Sequence, residues 1–123
     1  MTSVIRFLIL VGLVVGGLSI SGLAQTLTVV PDTEAAQHVG QHITVEGVVA
    51  TVFTSKNGNT FLNFGARYPA QTFTSWIPAG TELASDPSLQ SFQGKKVRIT
   101  GTIQLYRGKP EIKVLSRDHI IEE

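Results

Sequence analysis

The chain contains no cysteine, a single tryptophan and a single methionine. Without thiols there is no disulfide, no thiolate metal site and no cysteine nucleophile, so a chain outside a reducing compartment must rest on its hydrophobic core. A lipid-anchored processing site, which needs a cysteine at the cut, is excluded with it. Charge is also scarce: only 15% of the residues are charged, and the total is +1. No global basic field exists to gather polyanions, so any nucleic-acid contact must come from a local patch. Catalytic patterns are missing too. No nucleophile elbow or glycine-rich phosphate loop occurs, and the serines, histidines and aspartates show no triad-like spacing. Paired carboxylates occur only at Glu122-Glu123. No enzymatic activity and no cofactor are expected.

Charge is thinnest at the start, where Arg6 is the only charged residue before Asp32. The apolar run from Phe7 to Val15 is followed by small residues, and Gly22-Leu23-Ala24 offers small residues where a signal peptidase reads. A charged start, a short apolar centre and a small-residue exit predict a signal peptide over residues 1–24 and one domain over 25–123. The alternative is an uncleaved anchor, since the uncharged stretch to Pro31 is just long enough for a bilayer core of about 30 Å. The glycines and serines at 16–22 dilute it, and no stable membrane span is expected after cleavage. Loss of Arg6 would leave the domain neutral. The protein is expected to be exported, periplasmic or secreted.

What is present is a sentence said twice. Gly40-Gln41-His42-Ile43-Thr44-Val45-Glu46-Gly47 and Gly94-Lys95-Lys96-Val97-Arg98-Ile99-Thr100-Gly101 share one pattern: Gly, two polar residues, apolar, polar, apolar, polar, Gly. The alternation predicts half-buried strands, and the closing glycine predicts a bend that carries each strand from one sheet into another. The first strand is expected over about 41–53 and the fourth over 96–106. Between them, Asn57-Gly58 marks a hairpin leading to a second strand over 60–64, and a third is expected over 72–77. Asp86-Pro87 and Gly94 predict the start and stop of a short helix. Arg107-Gly108 turns the chain into a fifth strand over 111–115, with Ile112 and Val114 inward and Glu111 and Lys113 outward. Asp32 or Thr33 is expected to cap another short helix ending at Gly40. Residues 25–31 read as an extended lead-in and 116–123 as a tail in which Ile120 and Ile121 dock.

The order strand, strand, strand, helix, strand, strand is that of an all-β chain with one short helix. The runs Phe61-Leu62-Asn63-Phe64-Gly65 to Tyr68-Pro69 and Leu105-Tyr106-Arg107-Gly108-Lys109-Pro110-Glu111-Ile112 resemble small bacterial OB-fold proteins, and nearly all of residues 25–123 resembles OB domains of the anticodon-binding type. The resemblance implies a five-stranded OB-fold Greek-key barrel with a helix between strands 3 and 4. It also implies a binding surface on strands 2 and 3, the first hairpin and the loop between strands 4 and 5. On this chain those places are Lys56, Asn57 and Asn59, then Tyr106, Arg107 and Lys109.

Single-stranded nucleic acid needs aromatic faces for bases and cations for phosphates. Phe61, Tyr68, Phe73, Trp76 and Tyr106 supply faces, with the phenylalanines read first as core. Arg67, Arg98, Arg107, Lys109 and Lys113 supply charge, Arg98 and Lys113 as the continuation of a basic strip from Arg107. The expected ligand is single-stranded nucleic acid, another polyanion or an oligosaccharide. The alternative is an envelope protein partner, which would need an exposed apolar patch near Trp76, Tyr68 and Ile77. His38 and His42 have ligand-like spacing, but Gly40 between them breaks the helix, so no metal site is expected.

Overall fold

The computed structural model describes residues 28–123; the expected signal peptide lies outside the described residues. Among these, no helix is long and apolar enough to cross a membrane. Seven strands form one sheet: β1 (Val29–Pro31), β2 (His42–Thr54), β3 (Thr60–Phe64), β4 (Phe73–Ile77), β5 (Lys96–Tyr106), β6 (Lys109–Lys113) and β7 (Ile120–Glu122). The sheet order is β1-β2-β3-β4-β6-β5-β7, and an additional β2–β5 pairing closes β2, β3, β4, β6 and β5 into a ring.

Closure depends on the two long strands. Residues 42–48 of β2 pair antiparallel with β5, whereas Val49–Thr54 pair with β3. A register shift between Val49 and Thr51 leaves Ala50 as an extra residue, and such a bulge bends a strand. β5 likewise serves β2 with its first half and β6 with Ile103–Tyr106. The bends predicted at Gly47 and Gly101 therefore fall where each strand changes partners. Both glycines also admit a neighbour that a methyl would displace. A Cβ on Gly101 would collide with the buried Ile112 side chain, and one on Gly47 with the Asp32 carboxyl.

The two lead-ins to these strands are built alike. Val39 (φ −58°, ψ 132°) precedes Gly40 (φ +88°), and Gln93 (φ −60°, ψ 126°) precedes Gly94 (φ +85°). Gln41 N donates to His38 O over 3.0 Å, and Lys95 N to Phe92 O over 2.9 Å. Each is a type II turn, which needs positive φ at its third residue and so favours glycine there.

Three features differ from expectation. Seven strands replace five, because the lead-in and the tail each add a short strand: β1 runs parallel to β2, and β7 antiparallel to β5. The tail docks through Ile120, which is buried, while Ile121 stays exposed. The helix between β4 and β5 is a 3₁₀ helix, Pro87–Phe92, preceded by a shorter one at Leu83–Ser85. A six-residue segment between a proline and a glycine is short enough for the tighter winding. Asp86 caps it as expected, accepting from Ser88 N over 2.9 Å. The earlier helix, Asp32–His38, is also 3₁₀, but Pro31 holds the cap position and no side chain caps it. Asp32 instead accepts a hydrogen bond from the Thr72 hydroxyl.

The core fills the ring. Phe64, Phe73, Leu62, Ile77, Ile99, Ile103 and Ile112 are fully buried, with Phe92 and Leu89 of the 3₁₀ helix packed beside them. Phe64 and Phe73 meet edge-to-face with centroids 5.1 Å apart, a geometry that adds to their burial.

Candidate functional site

Where β2, β3, β4, β6 and β5 run side by side, the register lines up two rows of outward-facing residues. The first is polar. Thr51 lies opposite Asn63, Asn63 opposite Thr74, Thr74 opposite Glu111 and Glu111 opposite Gln104. Its members hold one another. Thr74 Oγ1 donates to Asn63 Oδ1 over 3.1 Å, Asn63 Nδ2 to Thr51 Oγ1 over 3.3 Å, and Gln104 Nε2 to Glu111 Oε1 over 3.0 Å. The second row is aromatic: Phe53 opposite Phe61, Phe61 opposite Trp76, Trp76 opposite Lys113. Phe53 and Phe61 stack with centroids 6.3 Å apart, and the Lys113 ammonium lies 5.6 Å from the Trp76 ring centroid.

A groove of about 540 Å³ lies over this surface. Thr51, Asn63, Thr74 and Glu111 contribute to its floor, with Phe53 and Phe61 beside them. The segment after β3 supplies Arg67, Tyr68 and Gln71, and Val52, Tyr106 and Gln93 complete the lining. Gln93 is held in place because its Oε1 accepts from Val52 N over 3.0 Å.

The groove has charge of both signs at different depths. Arg67 and Tyr68 are exposed at its rim. Arg107 stacks on Tyr106, 5.2 Å from the ring centroid. Glu111 on the floor is only 6% exposed and, among the described residues, forms no ion pair. Burial raises its pKa above the ordinary glutamate value, opposed by the Gln104 hydrogen bond.

The residues predicted to bind a ligand fall into distinct places. Arg67, Tyr68 and Tyr106 line the groove, and Trp76 and Lys113 stand in the adjacent aromatic row. Lys109 Nζ donates to the Gln71 carbonyl over 3.1 Å and so ties β6 to the segment bordering the groove. Asn59 serves structure: its Oδ1 accepts from Trp76 Nε1 over 3.1 Å and from Ala79 N over 2.9 Å, which fixes the indole. Lys56 is exposed at the β2–β3 turn and does not line the groove. Arg98 sits on the other half of β5, where Glu46 accepts from its Nε over 3.0 Å and Glu123 also pairs with it. These bonds raise the Arg98 pKa and lower that of Glu46. Its charge is thus engaged, and it does not extend a basic strip from Arg107. Phe73 is core, whereas Phe61 faces the groove.

The floor itself escaped the sequence reading, as did Gln71, Gln93 and Phe53. One signal was present: Asn63 interrupts the apolar run Phe61-Leu62-Asn63-Phe64 at a position that alternation assigns to the outer face. His38 and His42 do not converge, since His38 Nδ1 bonds Gln41 and His42 Nδ1 bonds Thr102. Among the described residues, no three His, Cys, Asp or Glu side chains are grouped to hold a metal ion.

No protein-family model matches the chain, and no curated protein matches it. Solved structures do match. One is an aspartyl-tRNA synthetase from Leishmania major Friedlin, 14% identical, with a TM-score of 0.52 over 80% of this chain and 21% of that one. At that identity the likeness is one of fold. The match spans about a fifth of the synthetase.

Proposed function

We propose that the protein is a non-catalytic OB-fold module that binds single-stranded nucleic acid, or another oligomeric polyanion, outside the cytoplasm. The observation that carries this reading is the polar row under the groove with the aromatic row beside it. A hydrogen-bonding floor lies beside a file of aromatic rings, with Arg67, Arg107 and Lys113 around it. Aromatic faces take bases in stacking contacts, cations take phosphates, and polar side chains meet base edges. The ring order, with the parallel β4–β6 contact, supports a Greek-key barrel of OB type to which β1 and β7 are additions. The likeness in fold to part of a tRNA synthetase supports the ligand class. Export rests on the leader-like residues 1–24.

Fluorescence anisotropy of the purified protein with labelled DNA and RNA oligonucleotides, at low and high salt, tests the reading. Salt-sensitive binding supports it, and no binding at low salt overturns it, because phosphate contacts are strongest there.

A second reading, an envelope protein partner, is favoured by the exposure of Phe53, Tyr68 and Tyr106 at the groove. Crosslinking in cells that repeatedly recovers one protein through these residues would favour it over the first.

A further inference from the structure

Glu111 is the one carboxylate of the groove floor, and it is an unusual thing to bury there. Its Oε1 is held by Gln104, while Oε2 takes no hydrogen bond from the described residues. A buried carboxylate without a cation is costly, and burial accordingly pushes its pKa upward. The rest of the row does not offset this, since Thr74, Asn63 and Thr51 bond among themselves. A second acceptor lies in the same groove: the amide oxygen of Gln71, on a side chain 6% exposed, has no hydrogen-bond partner. The groove is therefore short of donors at its floor. A small cation is a poor occupant, because Arg67 lines the same groove and Arg107 and Lys113 flank it. A neutral amino group on a flat ring suits both the carboxylate and the aromatic row.

We propose that Glu111 is a specificity-determining residue that accepts a hydrogen bond from the exocyclic amino group of a nucleobase, so that cytosine and adenine are preferred over thymine or uracil. This rests on the nucleic-acid reading above and adds base selectivity to it. Carboxylates accept from amino groups such as cytosine N4. The only ring donor of thymine or uracil, N3–H, sits between two carbonyls, so presenting it to Glu111 brings carbonyl oxygen against carboxylate oxygen.

The test compares labelled oligo-dC, oligo-dA and oligo-dT of roughly ten nucleotides, a length within the usual site size, at one low salt concentration. Equal length equalises the phosphate contribution. Wild-type protein should bind oligo-dC and oligo-dA roughly ten-fold tighter than oligo-dT, the discrimination one good base contact provides. Glu111→Gln keeps the shape but offers an N–H donor, so it should abolish or reverse the preference while retaining or improving oligo-dT binding. Lys113→Gln should weaken all three alike. A melting curve establishes that each variant is folded. Equal wild-type affinities, or a preference unchanged in Glu111→Gln, overturn the proposal and leave nucleic-acid binding standing. Failure of every oligonucleotide to bind at low salt removes the nucleic-acid reading, and this inference with it.

Discussion

Val45 and Ile99 occupy the same place in the two copies of the repeated segment, and they face each other across the β2–β5 pairing. A local two-fold relation passes between them. Ile43 opposite Gly101 is matched by Gly47 opposite Val97. Gly40 N donates to Ile103 O over 2.8 Å, and its counterpart Gly94 N donates to Val49 O over 2.7 Å. The repeat thus pairs with itself, and its two closing glycines release the strands to opposite sides of the ring.

Gly101→Ala should destabilise the protein by about 1–3 kcal/mol, the usual cost of forcing atoms into a packed core, because the new methyl meets the buried Ile112 side chain. Gly101 has no positive φ, so the effect would come from packing alone. Thr102→Ala, at the exposed neighbouring position, serves as the control and should change little. Urea unfolding of both variants decides the matter.

Phe73→Ala and Phe61→Ala should separate stability from binding. Phe73 is fully buried against Phe64, and its truncation should cost about 3–5 kcal/mol of stability. Phe61 lines the groove, so its truncation should leave the fold largely intact but weaken oligonucleotide binding by about 1–3 kcal/mol, the worth of one base stack. Denaturation midpoints and anisotropy titrations read the two effects.

Arg67→Ala should weaken binding and reduce the slope of log affinity against log salt by about 0.7, the contribution of one phosphate contact on a single strand. Arg98→Ala should leave both unchanged, because Glu46 and Glu123 already engage that guanidinium. Equal effects from the two variants would show that the groove does not define the contact surface.

Glu111→Gln should melt at a higher temperature than wild type near neutral pH. The folded-state pKa of Glu111 is raised. Stability from its protonated form is therefore fully present below the ordinary glutamate value of 4.5 and lost as pH rises through the folded pKa. The advantage of the glutamine variant should shrink as pH falls through the raised folded pKa and be gone below that ordinary value. Asp86 has the opposite sign. The Ser88 bonds lower its pKa, so its contribution is present above the unfolded value and fades as pH falls through the lowered one. Melting curves across this range for wild type, Glu111→Gln and Asp86→Asn distinguish the two.

The repeat, the Asn57-Gly58 hairpin and the Asp86 cap were legible because each depends on residues close in sequence. Alternation over Ile43 to Glu46 and over Lys96 to Thr100 marks a buried face without reference to any partner, and Gly58 at φ +91° meets a local backbone requirement. Short strands carry no such signal. β1 and β7 have three residues each, too few for a period of two to show, and they exist because β2 and β5 offer edges to pair with. The groove floor belongs wholly to tertiary structure. Glu111 reads locally as one more outward charge on a strand. Only the parallel pairing of β4 with β6 sets it beside Thr74, and the segment after β3, tied down by Lys109, borders the same groove. Sequence alone therefore determined the five longer strands and most of their inward faces, because side-chain alternation is local. Tertiary structure decided which outward residues meet, because register between strands distant in sequence is set by how the ring closes.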